Sequence, residues 1–341
     1  MNRVVSRIVI PVFDSQRRRL RRAVSLGHLV TGPDLDELEQ LLKRRTGRRH
    51  AILVSNGFSA LFAAVKFAYS GEGGAVTIPV STCFAVQNAM RANALRIRFV
   101  DADPSSMGTP ELSPLAGDAI IVAPDHFGNP SPIVSAGRPV SIPVIHDAAQ
   151  SFFSLEPSHS IVPLVTTLSF YPSKLANGID GGAILLDSDD LAARIRRFCS
   201  YEDQVEPETE FRMNMRMPNL HAAFLLGTLE HMSEIREKMR EGFAHLRAAA
   251  QRAGFHTAPL SANAVPTRFL TTATSGIDRD ALIERMRGGG VQACRELVWL
   301  GDPANAQHYP VARALVQTTC SIPLHPCLSE HDIEHMERLF V

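Results

Sequence analysis

Short apolar runs alternate with stretches of helical period over about the first 200 residues of the chain. The runs are continuously apolar, which is typical of strands that are covered on both faces of a sheet. They span residues 51–54, 75–79, 97–100, 119–123, 144–146, 164–170 and 183–186. Helix-like stretches at 59–68 and 84–92 lie between some of them. The alternation predicts an α/β domain with a mostly parallel sheet.

The C-terminal part of the chain has a different pattern. Apolar residues recur every three to five positions after Pro218 and predict one long helix that ends near Gly254. Runs at 269–273, 291–294 and 321–324 predict strands, whereas the segments that begin at Asp278 and after Ser329 predict helices. We therefore expect two domains. Residues 1–225 form the large one, and residues 226–341 form the connecting helix and a smaller α+β domain.

The composition argues against several classes of protein. The 341 residues include 35 basic and 35 acidic side chains, so no net charge attracts nucleic acid or anionic lipid. No apolar run approaches the ~20 residues that a membrane-spanning helix needs. The five cysteines form no C-x-x-C pair, which argues against a zinc site and against a disulfide framework. We expect a cytoplasmic protein with no metal, no nucleic-acid partner and no membrane contact.

Lys174 has the most informative surroundings of any lysine in the chain. Only four lysines are present, and the other three, Lys43, Lys66 and Lys238, lie in ordinary charged or helical stretches. Lys174 instead follows the predicted strand 164–170 in a loop, which is where α/β folds place reacting groups. A solvated loop lysine is the structural alternative.

Asp147 ends the predicted strand 144–146 and is followed by two alanines and Gln150. A buried carboxylate at a strand end keeps the ring nitrogen of pyridoxal phosphate protonated, and small residues leave room for a flat ring. Gln150 is then placed to donate a hydrogen bond to the ring oxygen. The alternative is that Asp147 caps a helix.

Residues 55–61 connect a strand to a helix through a turn of small residues. The free N–H groups and the dipole at a helix N-terminus favour an anion such as phosphate. Ser169, five residues before Lys174, adds a hydroxyl donor. A buried serine that is bonded only to the backbone is the alternative for Ser169.

The order of these features, from phosphate turn to strand-end acid, serine and lysine, resembles a known family. It is similar to the sugar aminotransferases of the DegT/DnrJ/EryC1/StrS family, which have the aspartate aminotransferase fold. The matching segments are Thr31-Gly32-Pro33 with Leu38-Glu39, residues 55–61, Phe99-Val100-Asp101, Asp147-Ala148-Ala149-Gln150, Ser169-Phe170 with Lys174, Asp180-Gly181-Gly182, Asn214-x-Arg216-Met217 with Ala222-Ala223, and Ile322-Pro323-Leu324 with Leu328-Ser329. The resemblance therefore covers most of the chain.

The resemblance implies a fold type I α/β large domain, a smaller C-terminal α+β domain and pyridoxal 5'-phosphate as the cofactor. It implies a Schiff base on Lys174, a ring nitrogen held by Asp147 and a ring-oxygen contact from Gln150. The phosphate is expected at Ser169 and at the turn formed by Gly57, Phe58 and Ser59.

The resemblance also implies a homodimer with shared active sites. In the family the segment that matches Asn214 and Arg216 reaches into the neighbouring subunit. Asn214 is therefore expected at the partner's phosphate and Arg216 near the partner's substrate.

The chain departs from the family pattern around the cofactor. Phe58 stands where the family has a threonine. Cys83, followed by Phe84, stands where the family commonly stacks an aromatic ring on the cofactor, so Cys83 is the expected neighbour of the ring. The dehydratase branch of the family has histidine in place of the Schiff-base lysine, and Lys174 argues against that branch.

The leading hypothesis is an aminotransferase that moves an amino group from glutamate to a keto group of a nucleotide-linked sugar, in polysaccharide or natural-product biosynthesis. The freed amine of Lys174 would transfer the proton between cofactor and substrate carbon. Two alternatives stay open: an aminotransferase for a keto-cyclitol or a free keto sugar acid, and a non-catalytic protein with the same fold.

Overall fold

The computed structural model describes residues 4–69, 74–103, 110–114, 117–135, 141–155, 163–202, 211–274 and 278–341. The strands within these ranges form two sheets. The large sheet contains β1 (His50–Val54), β2 (Ala75–Pro79), β3 (Arg96–Val100), β4 (Asp118–Pro124), β5 (Val144–Asp147), β6 (Val165–Ser169) and β7 (Gly182–Leu186). The small antiparallel sheet contains β8 (Phe269–Thr272) and β9 (Thr319–Ile322).

Helices precede, connect and follow the strands. They are α1 (Asp14–Ser25), α2 (Pro33–Thr46), α3 (Gly57–Ala68), α4 (Phe84–Ala92), α5 (Pro132–Ser135), α6 (Asp189–Phe198), α7 (Asn219–Leu229), α8 (Met232–Arg252), α9 (Arg279–Gly288), α10 (Pro310–Thr318) and α11 (Glu330–Arg338). Polar side chains cap several of them, for example Asn56 at α3 and Ser329 at α11. Among the described helices, none combines the length and the apolar character needed to span a bilayer.

The large sheet has the strand order β1-β7-β6-β5-β4-β2-β3. Neighbouring strands are parallel except at β7, which is antiparallel to both β1 and β6. The mostly parallel sheet expected from the sequence is therefore confirmed. Strand β5 lies in the middle of the sheet, so residues at its carboxyl end lie in the crevice where open α/β sheets bind ligands.

Both faces of the large sheet are buried, which explains why the strands have continuous apolar sequences. On one face, Leu53, Leu168 and Leu185 belong to a core that includes residues of α2 and α7. On the other face, Ile52 and Ile184 belong to a core that includes residues of α3, α4 and α6. Adjacent residues of one strand thus enter different cores, as the pleat of a strand requires.

The prediction of one long helix over residues 218–254 is wrong, because α7 and α8 are separate. The chain leaves the helix at His231, whose ring stacks on Phe13 with the centroids 3.8 Å apart. The N–H of His231 bonds to the carbonyl of Thr228 rather than to the residue four positions earlier. A tight turn at the end of a helix produces this pattern.

The predicted strand 291–294 is also wrong. Val291 forms one isolated bridge with Val5, and Cys294 forms another with Ser321, so the segment changes partner before a ladder can form. The strand predicted at 321–324 is β9, which ends before Pro323 because proline has no N–H for the ladder.

The expected division between residues 225 and 226 stays a prediction. Helix α7 packs on α1 and α2, whereas α8 packs on α11 and β8. We therefore propose that the boundary between the large and the small domain lies at the turn between α7 and α8, at residues 230–231.

Candidate active site

Lys174 lies in the loop between β6 and β7, next to the carboxyl end of β6. The loop is fixed to the structure on both sides of the lysine. Phe170 donates its N–H to the carbonyl of Gly181 at 2.8 Å, and the carbonyl of Asn177 accepts a bond of 2.9 Å from the hydroxyl of Thr228 in α7. Lys174 is half-buried as a whole residue, although its amine lies deep enough for burial to lower its pKa. A loop that is hydrogen-bonded on both sides of Lys174 holds that side chain in place more firmly than a solvated surface loop does.

Asp147 is the last residue of the central strand β5 and is 6% exposed. Its Oδ1 accepts the N–H of Ala149 at 3.1 Å in a local turn, and no α-helix begins there among the described residues. Asp147 therefore does not cap a helix. The pairing of Asp147 with Pro124 in β4 and Thr167 in β6 fixes its position at the carboxyl edge of the sheet.

Asp147 and Lys174 influence the protonation of each other. Burial raises the pKa of the Asp147 carboxyl, and the charge of Lys174 opposes this shift. Burial also lowers the pKa of the Lys174 amine, and the charge of Asp147 opposes that shift. Both groups are thus displaced toward their neutral forms. A lysine with a lowered pKa next to a buried acid is typical of a reactive amine.

Gln150 is held on the side of the site that faces the small sheet. Its Oε1 accepts the N–H of Phe127 at 3.3 Å and the hydroxyl of Thr267 at 3.5 Å. Thr267 lies two residues before β8, so Gln150 connects the end of the large sheet to the start of the small one. With its oxygen engaged, the amide nitrogen of Gln150 is the group that remains for a ligand.

Gly57 and Ser169 meet at the predicted phosphate turn. Gly57 is the first residue of α3, and a Cβ atom on it would lie 2.6 Å from the Cβ of Ser169 and 2.8 Å from its Oγ. The backbone of the turn therefore approaches the end of β6 closely. This contact brings a helix N-terminus and a serine hydroxyl to one point, which suits an anion.

Phe58 and Ser59 follow Gly57 in the first turn of α3. The N–H of Ser59 donates to the side chain of Asn56 at 2.8 Å, and the Ser59 hydroxyl lies 3.0 Å from that of Ser55. The Phe58 ring is 38% exposed and stacks on Phe62 within the same helix. The bulky side chain of Phe58 therefore points away from the core, and its backbone N–H stays at the helix N-terminus.

Cys83 precedes α4 at the carboxyl end of β2. It is exposed, and it lies near enough to Lys174 for a charge on its sulfur to raise the pKa of that amine. The expected contact of Cys83 with the cofactor ring stays a prediction. Phe84, the next residue, is 54% exposed at the start of α4.

Asn214 and Arg216 lie on a segment that runs beside the end of β1. Arg216 forms a bridge with Val54, and its guanidinium group pairs with Glu202. The carbonyl of Met215 accepts the N–H of Ser55, next to the phosphate turn. Asn214 is exposed. Neither Asn214 nor Arg216 lines the recess next to Lys174 in the described part of the chain.

Three charged residues near Lys174 were not predicted from the sequence. Arg7, from the N-terminal segment, and Arg268, from the residue before β8, line one recess with Lys174. Glu296 pairs with Arg7 at 2.7 Å and approaches Arg268 at 3.6 Å. These residues belong to no motif and come from distant parts of the sequence, so no local signal identified them.

A second missed group lies directly behind the site. Asp125 follows β4 and accepts hydrogen bonds from His146 at 2.7 Å, from the Ser151 hydroxyl and from the N–H of Ser131 at 2.6 Å. Asp125 and His146 are 1% and 3% exposed. Because Asp125 also donates its N–H to the carbonyl of Asp147, this buried cluster fixes the end of β5.

Comparison with known proteins gives a consistent result. The model of the DegT/DnrJ/EryC1/StrS aminotransferase family matches residues 13–339. The chain is similar, at 27% identity, to the UDP-4-amino-4-deoxy-L-arabinose–oxoglutarate aminotransferase of Shewanella sediminis, over 91% of this chain and 90% of the relative. It is similar, also at 27% identity, to the UDP-2-acetamido-2-deoxy-3-oxo-D-glucuronate aminotransferase of Pseudomonas aeruginosa, over 92% of each chain.

The fold has matches among solved structures. A crystal structure of a DegT DnrJ EryC1 StrS aminotransferase from Brucella abortus superposes with a TM-score of 0.82 and 23% identity, over 96% of this chain and 94% of that one. The structure of AtS13 from Actinomadura melliaura superposes with a TM-score of 0.86 and 22% identity, over 99% and 98% of the two chains.

Proposed function

The chain belongs to the DegT/DnrJ/EryC1/StrS aminotransferase family, and from this premise we propose that it transfers an amino group from glutamate to the keto group of a nucleotide-linked sugar. The aminotransferase activity and the dependence on pyridoxal phosphate follow from the family. The observation that carries the site assignment is the pair formed by Lys174 and Asp147, whose pKa values are shifted toward the neutral forms. Both curated relatives act on UDP-linked sugars by their names, which supports the substrate class.

The residues around Lys174 fit the cofactor. Because burial raises the pKa of the Asp147 carboxyl, its anionic form needs a positive charge nearby, which a protonated ring nitrogen would supply. The missing Cβ of Gly57 leaves the helix N-terminus and the Ser169 hydroxyl at one point, as a phosphate requires. The exposed Cys83 leaves room for a ring beside Lys174.

When bound, pyridoxal phosphate supplies an electron sink that weakens the bonds to the carbon bearing the amino group. Asp147 would hold a proton on the ring nitrogen through its buried carboxylate. The amine nitrogen Nζ of Lys174, once free, would accept a proton from the donor carbon in the first half reaction and would deliver a proton to the acceptor carbon in the second. Its lowered pKa favours the neutral, proton-accepting form of the amine.

The remaining site residues would orient the cofactor. The amide nitrogen of Gln150 would donate to the ring oxygen, because its carbonyl oxygen is already engaged. The phosphate would accept hydrogen bonds from the Ser169 hydroxyl and from the backbone N–H groups of Gly57 and Phe58. Ser59 would contribute its hydroxyl rather than its N–H, since that N–H is bonded to Asn56.

A homodimer would complete the site. Phe58, Phe84, Tyr171 and Ile179, on segments that carry site residues, are 38%, 54%, 55% and 43% exposed. Large apolar side chains exposed around one site favour cover by another protein surface. In a dimer, Asn214 would reach the partner's phosphate and Arg216 the partner's substrate, which agrees with their absence from the recess at Lys174 in their own chain.

The described cysteines are all unpaired, which supports the cytoplasm as the place of action.

Borohydride reduction of the yellow holoenzyme, followed by peptide mapping, tests the assignment. We expect the reduced cofactor on Lys174, and we expect the Lys174→Ala variant to lose both the visible band and turnover. Bleaching of that band by glutamate, and its recovery with individual UDP-linked keto sugars, would identify donor and acceptor. Label on another lysine, or full activity in Lys174→Ala, would overturn the assignment.

A further inference from the structure

A small recess, partly open to solvent, lies next to Lys174. Four parts of the chain line it: the N-terminal segment with Arg7, the loop with Ser173 and Lys174, the approach to β8 with Arg268, and the segment after β9 with His325. None of these parts is close to another in sequence. The recess is therefore formed by the tertiary fold, at the point where a substrate reaching Lys174 would lie.

Arg268 is a buried cation with few partners. Its side chain is 15% exposed. One terminal nitrogen, Nη1, donates to the carbonyl of Thr267 at 2.7 Å and to that of Ser173 at 3.4 Å. Its Nε is buried without a hydrogen-bond partner among the described atoms, and its Nη2 forms no hydrogen bond with the described residues. A buried guanidinium group whose N–H groups are only partly paired is unfavourable unless a ligand accepts the remaining hydrogen bonds.

Glu296 neutralises only part of the positive charge. Its carboxylate pairs with Arg7 at 2.7 Å and lies 3.6 Å from the Nε of Arg268, so two arginines share one acid. The cluster of Arg7, Arg268 and Glu296 keeps one positive charge in excess, directly beside the carbonyl of the residue before Lys174. An anionic group on a substrate would balance this charge.

We propose that Arg268, held in place by Glu296 and Arg7, binds a carboxylate of the substrate that reacts at Lys174. A guanidinium group matches a carboxylate because two N–H groups can donate to its two oxygens. The carboxylate comes either from the amino donor or from an acidic keto sugar, and the experiment separates these sources. The inference rests on the proposed function, because it assumes that the recess receives substrate.

The Arg268→Gln variant tests the site, with Arg268→Lys as the conservative variant. We expect Arg268→Gln to weaken the binding of glutarate to the resting holoenzyme by about tenfold or more in calorimetry, as loss of a charge-assisted hydrogen bond implies. Arg268→Lys should recover part of this loss, because it keeps the charge. The cofactor's visible band should stay unchanged in both variants, since Arg268 does not hold the cofactor.

Arg240→Gln is a matched control. Arg240 also donates to backbone carbonyls, those of Ala262 and Ala264, but it does not line the recess. This variant should bind glutarate as the wild type does. A loss of binding that is equal in the two variants would indicate a general structural effect and would overturn the proposal.

The two half reactions distinguish the source of the carboxylate. A rise in the half-saturating concentration of glutamate, with no change for glutaminol, an amine donor that carries no carboxylate, assigns Arg268 to the amino donor. A rise only for keto sugars that carry a carboxylate assigns it to the acceptor. No change in either half reaction and in glutarate binding overturns the proposal. If the wild type has no visible band, the proposed function fails, whereas glutarate binding still reports on Arg268.

Discussion

A Cβ atom on Gly57 would lie 2.6 Å from the Cβ of Ser169, a distance that real Cβ atoms do not reach. The first turn of α3 and the end of β6 can therefore come together only because residue 57 has no side chain. This contact joins the phosphate turn to the strand that leads to Lys174.

The Gly57→Ala substitution should weaken the capture of the cofactor. The new methyl group must displace Ser169 or the helix N-terminus, and overpacking of this kind costs about 1–3 kcal/mol. We expect the concentration of pyridoxal phosphate that half-restores the visible band of cofactor-free protein to rise about tenfold. Gly288→Ala is the control, because a Cβ there meets nothing within 4 Å. An unchanged value in Gly57→Ala would contradict the close contact.

The amine of Lys174 should react with small acylating reagents at a lower pH than that of Lys238. An amine reacts only when it is neutral, so a lowered pKa moves the reactive range down. Burial lowers the pKa of Lys174, whereas the hydrogen bond that Lys238 donates to Glu234 raises the pKa of Lys238. Acetic anhydride labelling of cofactor-free protein across pH, read by mass spectrometry, measures both lysines in one sample.

The Asp147→Asn variant should move the reactive range of Lys174 further down. The carboxylate of Asp147 raises the pKa of the amine, so its removal lowers that pKa. The Lys238 profile should not move, because Asp147 has no influence on its pKa. A shift of the Lys174 profile to higher pH would show that the two residues do not interact as described.

Buried His126 should make the protein less stable in mild acid. Burial lowers the pKa of its imidazole to about 4, whereas the unfolded chain binds this proton near pH 6.5. Stability is therefore complete above about pH 6.5 and decreases as the pH falls toward 4, by about 3 kcal/mol at most. Urea unfolding at several pH values measures the slope. The His126→Asn variant should have a flatter profile over this range.

The Asp125→Asn substitution should destabilise the fold strongly. It removes an acceptor of hydrogen bonds from buried His146 and Ser151 and places an amide donor near both of them. Each buried donor left without an acceptor costs about 1–3 kcal/mol. Ser151→Ala, which removes one neutral donor, should cost only about 1 kcal/mol. Equal urea midpoints for Asp125→Asn and the wild type would refute this role.

The large sheet was predictable because each strand carries its own signal. The runs at 75–79 and 119–123 match β2 and β4 within one residue at either end. The direction of each strand was harder to predict from the sequence. Strand β7 is antiparallel to both of its neighbours, and no local feature of the sequence encodes that direction. The break at His231 was also missed, because its cause is a ring contact with Phe13, more than 200 residues earlier.

The site was predictable to the extent that its chemistry lies in short motifs. Asp147 ends β5 and Lys174 lies in the loop after β6, and these two strands are neighbours in the sheet. Arg268 and Glu296 lie in no such motif. Their importance comes from the tertiary fold, which brings them close together, and from the burial of Arg268 without a full set of hydrogen-bond partners. Sequence patterns therefore identify groups at strand ends more readily than groups contributed by the small domain.

The position of β1 in the sheet has a consequence for synthesis of the chain. Val54 of β1 pairs with Gly182 of β7, about 130 residues later, so β1 has no partner in the sheet until β7 leaves the ribosome. Until then its backbone groups are an open edge that favours chaperone binding or aggregation. A translation product that stops before residue 182 already contains Lys174, but it lacks β7, the strand that pairs with both β1 and β6. We therefore expect such a fragment to be degraded before it can bind the cofactor and show its visible band.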